Sequence, residues 1–168
     1  MGTSAVRNKG LRRIPDIVPV PMCDGIQDAA MVHVPGMVNL GVRALKADPA
    51  PRQRISTEKL QNLAYECVIE PNNYAKVSVI NGEVVASVCA LVQEQMLFER
   101  KQATVVQFFT VAPGEGAKLI RDFLRWARPQ RKIKSIVFVI EANADERIVT
   151  MLGRMGLASR MPVCVEWK

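Results

Sequence analysis

A chain of 168 residues with 49% apolar and 23% charged side chains has the length and composition of a single folded domain. No apolar run approaches the roughly 18–20 residues that span a membrane, and no apolar signal core follows the N-terminus, so the sequence predicts a cytoplasmic protein that does not cross a membrane. The net charge of +7 predicts either a solvated basic surface or attraction to phosphate groups, nucleic acid or an acidic protein.

The chain begins with a basic segment that shows no hydrophobic periodicity. Residues 1–13 are therefore predicted to form a flexible arm, and residues 14–168 a single domain. Ile14–Val20 is apolar but contains two prolines, which is typical of an edge strand. The segment 24–47 has helical composition interrupted by Pro35 and Gly36, and it predicts one or two short helices.

The clearest local pattern is a β-hairpin in the middle of the chain. A proline-rich loop at 47–54 precedes a helix that is capped by Ser56 or Thr57 and continues to Val68. Two β-rich runs then follow, 74–80 and 83–92, separated by Asn81 and Gly82. Asn-Gly is the preferred pair for a type I′ turn, so these runs are predicted to be antiparallel neighbours.

A charged connection is predicted at 93–102, followed by a fourth strand at 103–111. The turn Pro113-Gly114-Glu115-Gly116 then leads into a helix that Pro129 ends. The helix has one apolar stripe, formed by Leu119, Ile120, Phe123, Leu124 and Ala127. The start of this helix offers free N–H groups and a positive dipole end, an arrangement that attracts phosphate.

The last third of the chain alternates strand and helix. A buried strand is predicted at 134–141, a helix capped by Asn143 and ended by Gly156 follows it, and a last strand covers 161–167. Strand–helix–strand order predicts parallel pairing near the fifth strand. The expected fold class is α/β (α+β), a mixed and mostly antiparallel sheet flanked by helices.

The cysteines do not form a metal-binding pattern. Cys23, Cys67, Cys89 and Cys164 are far apart, no C-x-x-C pair occurs, and the chain has one histidine, His33. No metal site is therefore expected. Cys67 and Cys89 lie in apolar stretches and are predicted to be buried thiols, while His33 is predicted to be structural.

The turn Gly114-x-Gly116 with the strand before it resembles the second half of the acetyl-CoA loop of the GNAT superfamily of N-acetyltransferases, and the order of elements from about residue 14 resembles that fold. Val111 occupies the position of the superfamily's Gln or Arg. The resemblance implies acetyl-CoA as cofactor and a sheet splayed between its fourth and fifth strands. The cofactor-binding residues that it implies are Phe109, Thr110, Val111, Gly114, Glu115, Gly116, Ala117, Lys118 and Asn143.

The same resemblance indicates where catalytic groups are expected. The superfamily often has a tyrosine acid in its last helix, where this chain has Leu152, and a glutamate base on the fourth strand, where this chain has Gln107. An amide cannot act as a base. Gln107 and Glu141 are the candidate catalytic residues, and Glu94 and Glu99 are further carboxylates to consider.

Two functions follow as alternatives. One is an N-acetyltransferase that acts on an unidentified amine, and the other is a protein of the same fold without catalysis. The chain is similar to variant members carried by tailed bacteriophages, which implies a virion protein that contacts other proteins or nucleic acid. The basic arm is the expected contact with such partners.

Overall fold

The computed structural model describes residues 22–46, 55–95, 98–138 and 146–157. Five strands form one sheet: β1 (Gly25–Asp28), β2 (Tyr74–Ile80), β3 (Glu83–Gln95), β4 (Phe98–Thr110) and β5 (Ile133–Phe138). Four helices flank it: α1 (Val34–Lys46), α2 (Thr57–Ile69), α3 (Glu115–Ala127) and α4 (Glu146–Arg154). The predicted arm at 1–13, the strands at 14–20 and 161–167, and the cap Asn143 lie outside the described residues.

The sheet order is β1-β2-β3-β4-β5, so strands that follow each other along the chain are neighbours. The first four strands pair antiparallel, and β4 pairs parallel with β5. Asn81 and Gly82 both have positive φ angles, 53° and 75°, as the type I′ turn requires. The predicted hairpin, the predicted parallel pair and the mixed sheet are therefore confirmed.

The prediction of a charged connection at 93–102 is wrong, because β3 continues to Gln95 and β4 begins at Phe98. Glu94 pairs with Lys101 across the two strands. Gln95 donates to the side-chain oxygens of Gln102 and Ser135, at 3.0 Å each, so side-chain hydrogen bonds connect β3, β4 and β5. Polar residues form strands here because side chains on neighbouring strands form hydrogen bonds and charge pairs with each other.

The helical prediction for 24–47 is correct for α1 and wrong for residues 25–28, which form β1. This short strand pairs with β2 at the sheet edge, where its backbone hydrogen bonds replace those of a helix. Pro35 and Gly36 do not interrupt α1, since both lie in its first turn, where the missing N–H of proline costs no helical bond.

β5 pairs with β4 from its first described residue to its last. Their register runs from Lys101 with Ile133 to Val105 with Phe138. Val106 forms a bulge against β3, after which residues 107–110 pair with β3 alone within the described part of the chain. The predicted splay between the fourth and fifth strands stays a prediction, because residues 139–145 lie outside the described ones.

Each face of the sheet packs against its own helices. One core contains the apolar stripe of α3 together with Leu152 of α4. The opposite core joins α1 and α2 to the sheet and contains the thiols of Cys67 and Cys89. All five predicted stripe residues of α3 are buried, as periodicity predicted. β5 is only half-buried, although its sequence predicts burial on both faces.

Gly116 allows α3 to lie directly on β4. A Cβ atom at this position would lie 2.8 Å from the Phe108 ring and 2.9 Å from the Thr110 methyl group. Both distances are shorter than carbon atoms tolerate, so α3 would have to move away from the strand. The glycine is therefore required by packing, whereas Gly114 is required by its φ of 81°.

We expect Gly116→Ala to lower the free energy of unfolding by about 1–3 kcal/mol, because the new methyl group overpacks the contact with β4. The matched control is Gly153→Ala in α4, where a Cβ atom would meet nothing within 4 Å. That change should raise stability by up to about 1 kcal/mol through helix propensity. Urea denaturation measures both, and equal effects of the two variants would contradict the packing contact.

Candidate active site

The N-terminus of α3 follows the end of β4, where the strand pairs with β3. Gly114 caps the helix in a left-handed conformation and supplies no side chain. The N–H groups of Gly116 and Ala117 have no acceptor among the described residues. These donors carry the positive end of the helix dipole, so they can bind an anion.

Several hydrogen-bond donors in the turn before α3 are already bonded within the fold and so are not free for a ligand. The N–H of Val111 donates to the carbonyl of Val85 at 3.0 Å, and the hydroxyl of Thr110 donates to the carbonyl of Ala112 at 3.1 Å. The N–H of Glu115 points to the same carbonyl of Ala112 at 3.4 Å. The free donors therefore begin at Gly116, while the Val111 side chain remains 45% exposed beside them.

Glu115 ties the start of α3 to the sheet. Its Oε2 accepts a hydrogen bond of 2.6 Å from the buried hydroxyl of Ser78 on β2, and its Oε1 pairs with Nζ of Lys118 at 2.5 Å. The hydrogen bonds from Lys118 and Ser78 hold the pKa of Glu115 below its usual range. The Glu115 side chain is only 12% exposed, so its negative charge lies against the sheet, and Lys118 neutralises it.

Ser78 is a site residue that the sequence analysis did not find. The pattern around it offered one signal, since Tyr74, Lys76 and Ser78 alternate with apolar residues and so share one face of β2. Lys76 and Tyr74 both bond to Asp122 of α3, at 2.9 and 2.8 Å. This face of β2 therefore holds α3 through polar contacts along its length.

Gln107 is buried on the stretch of β4 that follows the bulge. Its side chain is 3% exposed, and its Nε2 lies 3.5 Å from the hydroxyl of Ser87. Its Oε1 has no hydrogen-bond partner among the described residues. An unpaired buried acceptor costs about 1–3 kcal/mol, so this oxygen is suited to accept a bond from a ligand or water.

The other candidate acids and bases lie elsewhere. Leu152 is buried in the apolar core, so the tyrosine position of the superfamily has no polar group here. Glu94 and Glu99 lie at the end of the hairpin opposite to Gln107, and Glu141 lies outside the described residues. His33 is buried, which lowers its pKa, and its Nδ1 accepts the N–H of Ala30, as expected of a structural histidine.

Tyr74 is not a free acid either. Burial, together with the hydrogen bond to Asp122, raises the pKa of Tyr74 well above its usual range. Burial opposes ionisation of Asp122, but bonds from Lys76 and Tyr74 outweigh it, so the pKa of Asp122 is lowered. Tyr65 is 45% exposed on α2. Tyr74 is therefore a structural residue whose hydroxyl donates a hydrogen bond to Asp122.

The described residues contain no group of His, Cys, Asp and Glu side chains that could hold a metal ion. Cys67 and Cys89 are free and buried, as predicted. No helix in the described ranges has the length and apolar character needed to cross a membrane.

Neither a family model nor a curated protein matches the sequence. Solved structures do match. A protein from Agrobacterium tumefaciens proposed to be an acetyltransferase aligns over 85% of this chain and 99% of its own, with 16% identity and a TM-score of 0.64. An aminoglycoside acetyltransferase from an uncultured soil metagenomic sample, solved with sisomicin, aligns over 85% and 94%, with 17% identity and a TM-score of 0.62. A transcriptional regulator from Bacillus halodurans aligns over 84% and 98%, with 17% identity and a TM-score of 0.64.

The fold is therefore the GNAT fold, and the solved structures that share it include acetyltransferases. Identities this low show a common fold and leave the chemistry to be argued from the site. None of these comparisons bears on the similarity to phage-borne members, which stays a prediction.

We expect Glu115→Gln to lower the free energy of unfolding at neutral pH by about 1 kcal/mol, because the charged acceptor of Ser78 and Lys118 is lost. The folded-state pKa of Glu115 is lowered, so its contribution is full above the unfolded value of about 4.3 and disappears as pH falls through the folded pKa. Denaturation from neutral pH to about pH 3 measures the difference between the two proteins.

The control for this experiment is Glu58→Gln, which removes an exposed acid from the first turn of α2. It reproduces the loss of a favourable charge–dipole interaction without the contacts to the sheet. A loss in Glu58→Gln equal to that in Glu115→Gln would show that the bonds to Ser78 and Lys118 contribute nothing.

Proposed function

We propose that this protein is an acetyl-CoA-dependent N-acyltransferase that acts on an unidentified amine. One observation carries the proposal: β4 leads, five residues after Val105, into a turn whose helix has free N–H groups at Gly116 and Ala117. A free helix N-terminus can bind phosphate. With the splay between β4 and β5 that the proposal includes, β4 would also offer a strand edge to the amide-containing chain that coenzyme A joins to its phosphates.

The residues present fit that cofactor. The N–H groups of Gly116 and Ala117 would hold the pyrophosphate, with Lys118 beside them on the exposed side of α3. Gly114 adds no side chain to the turn, and a Cβ atom at its position would meet nothing within 4 Å, so the space beside it is open. Phe109 and Thr110 would supply the strand edge in the proposed splay, and Asn143 remains a predicted contact.

When bound, acetyl-CoA supplies an acetyl thioester that an amine can attack. The chain then has to hold the amine near that thioester and accept its hydrogen bonds. The unpaired Oε1 of Gln107 is buried on β4 just after the bulge and can accept an N–H from the amine. An amide cannot take the proton away, so another group must receive it.

This assignment makes Gln107 a positioning residue, while Glu141 remains the candidate base. Leu152 provides no proton for the departing thiolate, so protonation by water is expected in its place. We therefore expect the acyl transfer to be slow and to rise with pH, because more of the amine is then deprotonated.

A second candidate function is a protein of the same fold that binds partners and performs no catalysis. Two described residues favour it: Leu152 is apolar where an acid is expected, and Gln107 is neutral where a base is expected. A virion role, with the basic arm 1–13 contacting protein or nucleic acid and 14–168 as the domain, is the specific form of this candidate.

We expect Ala117→Glu to weaken acetyl-CoA binding at least about tenfold, because a carboxylate at the third position of α3 repels the pyrophosphate. An acid there also stabilises a helix N-terminus, so the variant should remain folded. Gln61→Glu, on the exposed face of α2, makes the same charge change away from the site and should bind as the original chain does. Calorimetric titration measures both.

In that titration, equal affinities of Ala117→Glu and the original chain would show that the cofactor does not bind at the start of α3. Failure of the original chain to bind acetyl-CoA at about 1 mM would contradict the enzyme and leave the non-catalytic candidate.

We expect Gln107→Leu to raise the free energy of unfolding by about 1 kcal/mol, because it removes an unpaired buried oxygen. The same change should lower amine-dependent release of thiol from acetyl-CoA at least about tenfold while the cofactor affinity is unchanged. The assay uses a panel of primary amines that includes sisomicin. Thr104→Val, which removes a polar group from β4 before the bulge, is the control.

A more stable Gln107→Leu variant with full turnover would show that the amide does not contact the amine. A less stable variant would show that Oε1 has a partner in the folded protein, such as a buried water.

A further inference from the structure

A groove lined with arginines separates α3 from α4. Two adjoining cavities, with volumes of about 630 and 530 Å³, share Arg121, Arg154 and Met155 and so form one continuous depression. Its basic lining residues are Arg121, Arg125, Arg128, Arg147 and Arg154. Glu146 is the acid among the residues that line it. The groove therefore carries a strong net positive charge.

Some of these guanidinium groups have partners in the fold. Arg125 pairs with Asp122 at 3.3 Å, and Nη2 of Arg128 donates to the carbonyl of Met155 at 2.5 Å. Arg121 and Arg154 have no ion-pair or hydrogen-bond partner within the described ranges. Like charges gathered in one groove repel each other, and an anionic ligand relieves that repulsion.

The floor of the groove is apolar. It consists of Leu124 and Pro129 from α3 and the turn after it, with Met151 and Met155 from α4. Methionine side chains adapt to different apolar partners, and Arg is enriched at protein interfaces. A ligand that fits must therefore present both apolar groups and negative charges.

The lining favours a protein segment over nucleic acid. None of the residues that line the two cavities is aromatic, so the groove has no ring on which a base could stack. A depression between two helices instead suits a third helix, which can place apolar side chains on the floor and carboxylates along the rims. Arg binds a carboxylate through two parallel hydrogen bonds, which fixes its orientation.

We propose that the groove between α3 and α4 binds a short acidic amphipathic helix of a partner protein. Its carboxylates pair with Arg121 and Arg154, and its apolar side chains pack on Met151 and Met155. An acidic amphipathic helix fits because its carboxylates complement the two rows of arginines and its apolar side chains match the apolar residues between them.

The groove is separate from the proposed cofactor site. Neither Gly116 nor Ala117 lines it. Along the axis of α3, Arg128 lies about 18 Å from Gly116, and Arg121, the groove residue nearest to the free N–H groups, lies about 8 Å from it. A failure of the cofactor proposal therefore leaves this one standing, and the reverse is also true.

The experiment uses the full chain and a fluorescent synthetic peptide of about 15 residues that repeats Leu and Glu at helical spacing. A scrambled peptide of the same composition and a single-stranded oligothymidine of similar length are the comparison probes. Fluorescence anisotropy should give a micromolar Kd for the patterned peptide. The double variant Arg121→Gln with Arg154→Gln should weaken binding at least about tenfold.

The matched control is Arg43→Gln with Lys59→Gln, which removes the same charge from exposed positions on α1 and α2 and should leave the Kd unchanged. Equal binding of the scrambled peptide would overturn the proposal, since charge alone would then explain it. Tighter binding of the oligonucleotide, loss of the peptide on adding acetyl-CoA, or no binding at about 1 mM peptide would each overturn it as well.

Discussion

The proposed site depends on the bulge at Val106 in β4. Ala90 and Cys89 are consecutive on β3, but their partners Val105 and Gln107 are two residues apart on β4. Such a bulge bends the strand and redirects the side chains that follow it. The stretch after the bulge carries Gln107, whose buried oxygen is unpaired, and it ends at the turn into α3.

The position of α3 is fixed by contacts that are specific to this chain. Gly116 brings the helix onto Phe108 and Thr110, and Glu115 reaches under it to Ser78. Farther along the helix, Asp122 accepts bonds from Tyr74 and Lys76, and Tyr74 packs with its ring centroid 5.2 Å from that of Phe123. The helix N-terminus is thus held in place before any ligand binds, which lowers the entropy lost on binding.

The basic residues behind the net charge of +7 differ in whether an acid neutralises them. Glu115 partly neutralises Lys118 beside the proposed cofactor site, whereas Arg121 and Arg154 face the groove without described partners. The proposed cofactor site therefore relies on backbone dipoles, and the groove relies on side-chain charge. Backbone donors are fixed and little affected by salt, while exposed guanidinium groups are screened by it.

Periodicity alone determined much of this fold, because it reports which residues must be buried. The stripe of α3 from Leu119 to Ala127, the helix capped by Ser56 and the Asn81-Gly82 hairpin follow from spacing and turn chemistry, which are local properties. The lengths of β3 and β4 and the strand at 25–28 do not, because polar residues form strands only when a neighbouring strand supplies their partners.

The same division holds for the candidate site. The glycines of its turn were visible in the sequence, while Ser78, the unpaired oxygen of Gln107 and the meeting of Arg121 with Arg154 were not. Each of these joins residues that are distant along the chain, and only the tertiary structure brings them within reach of one another.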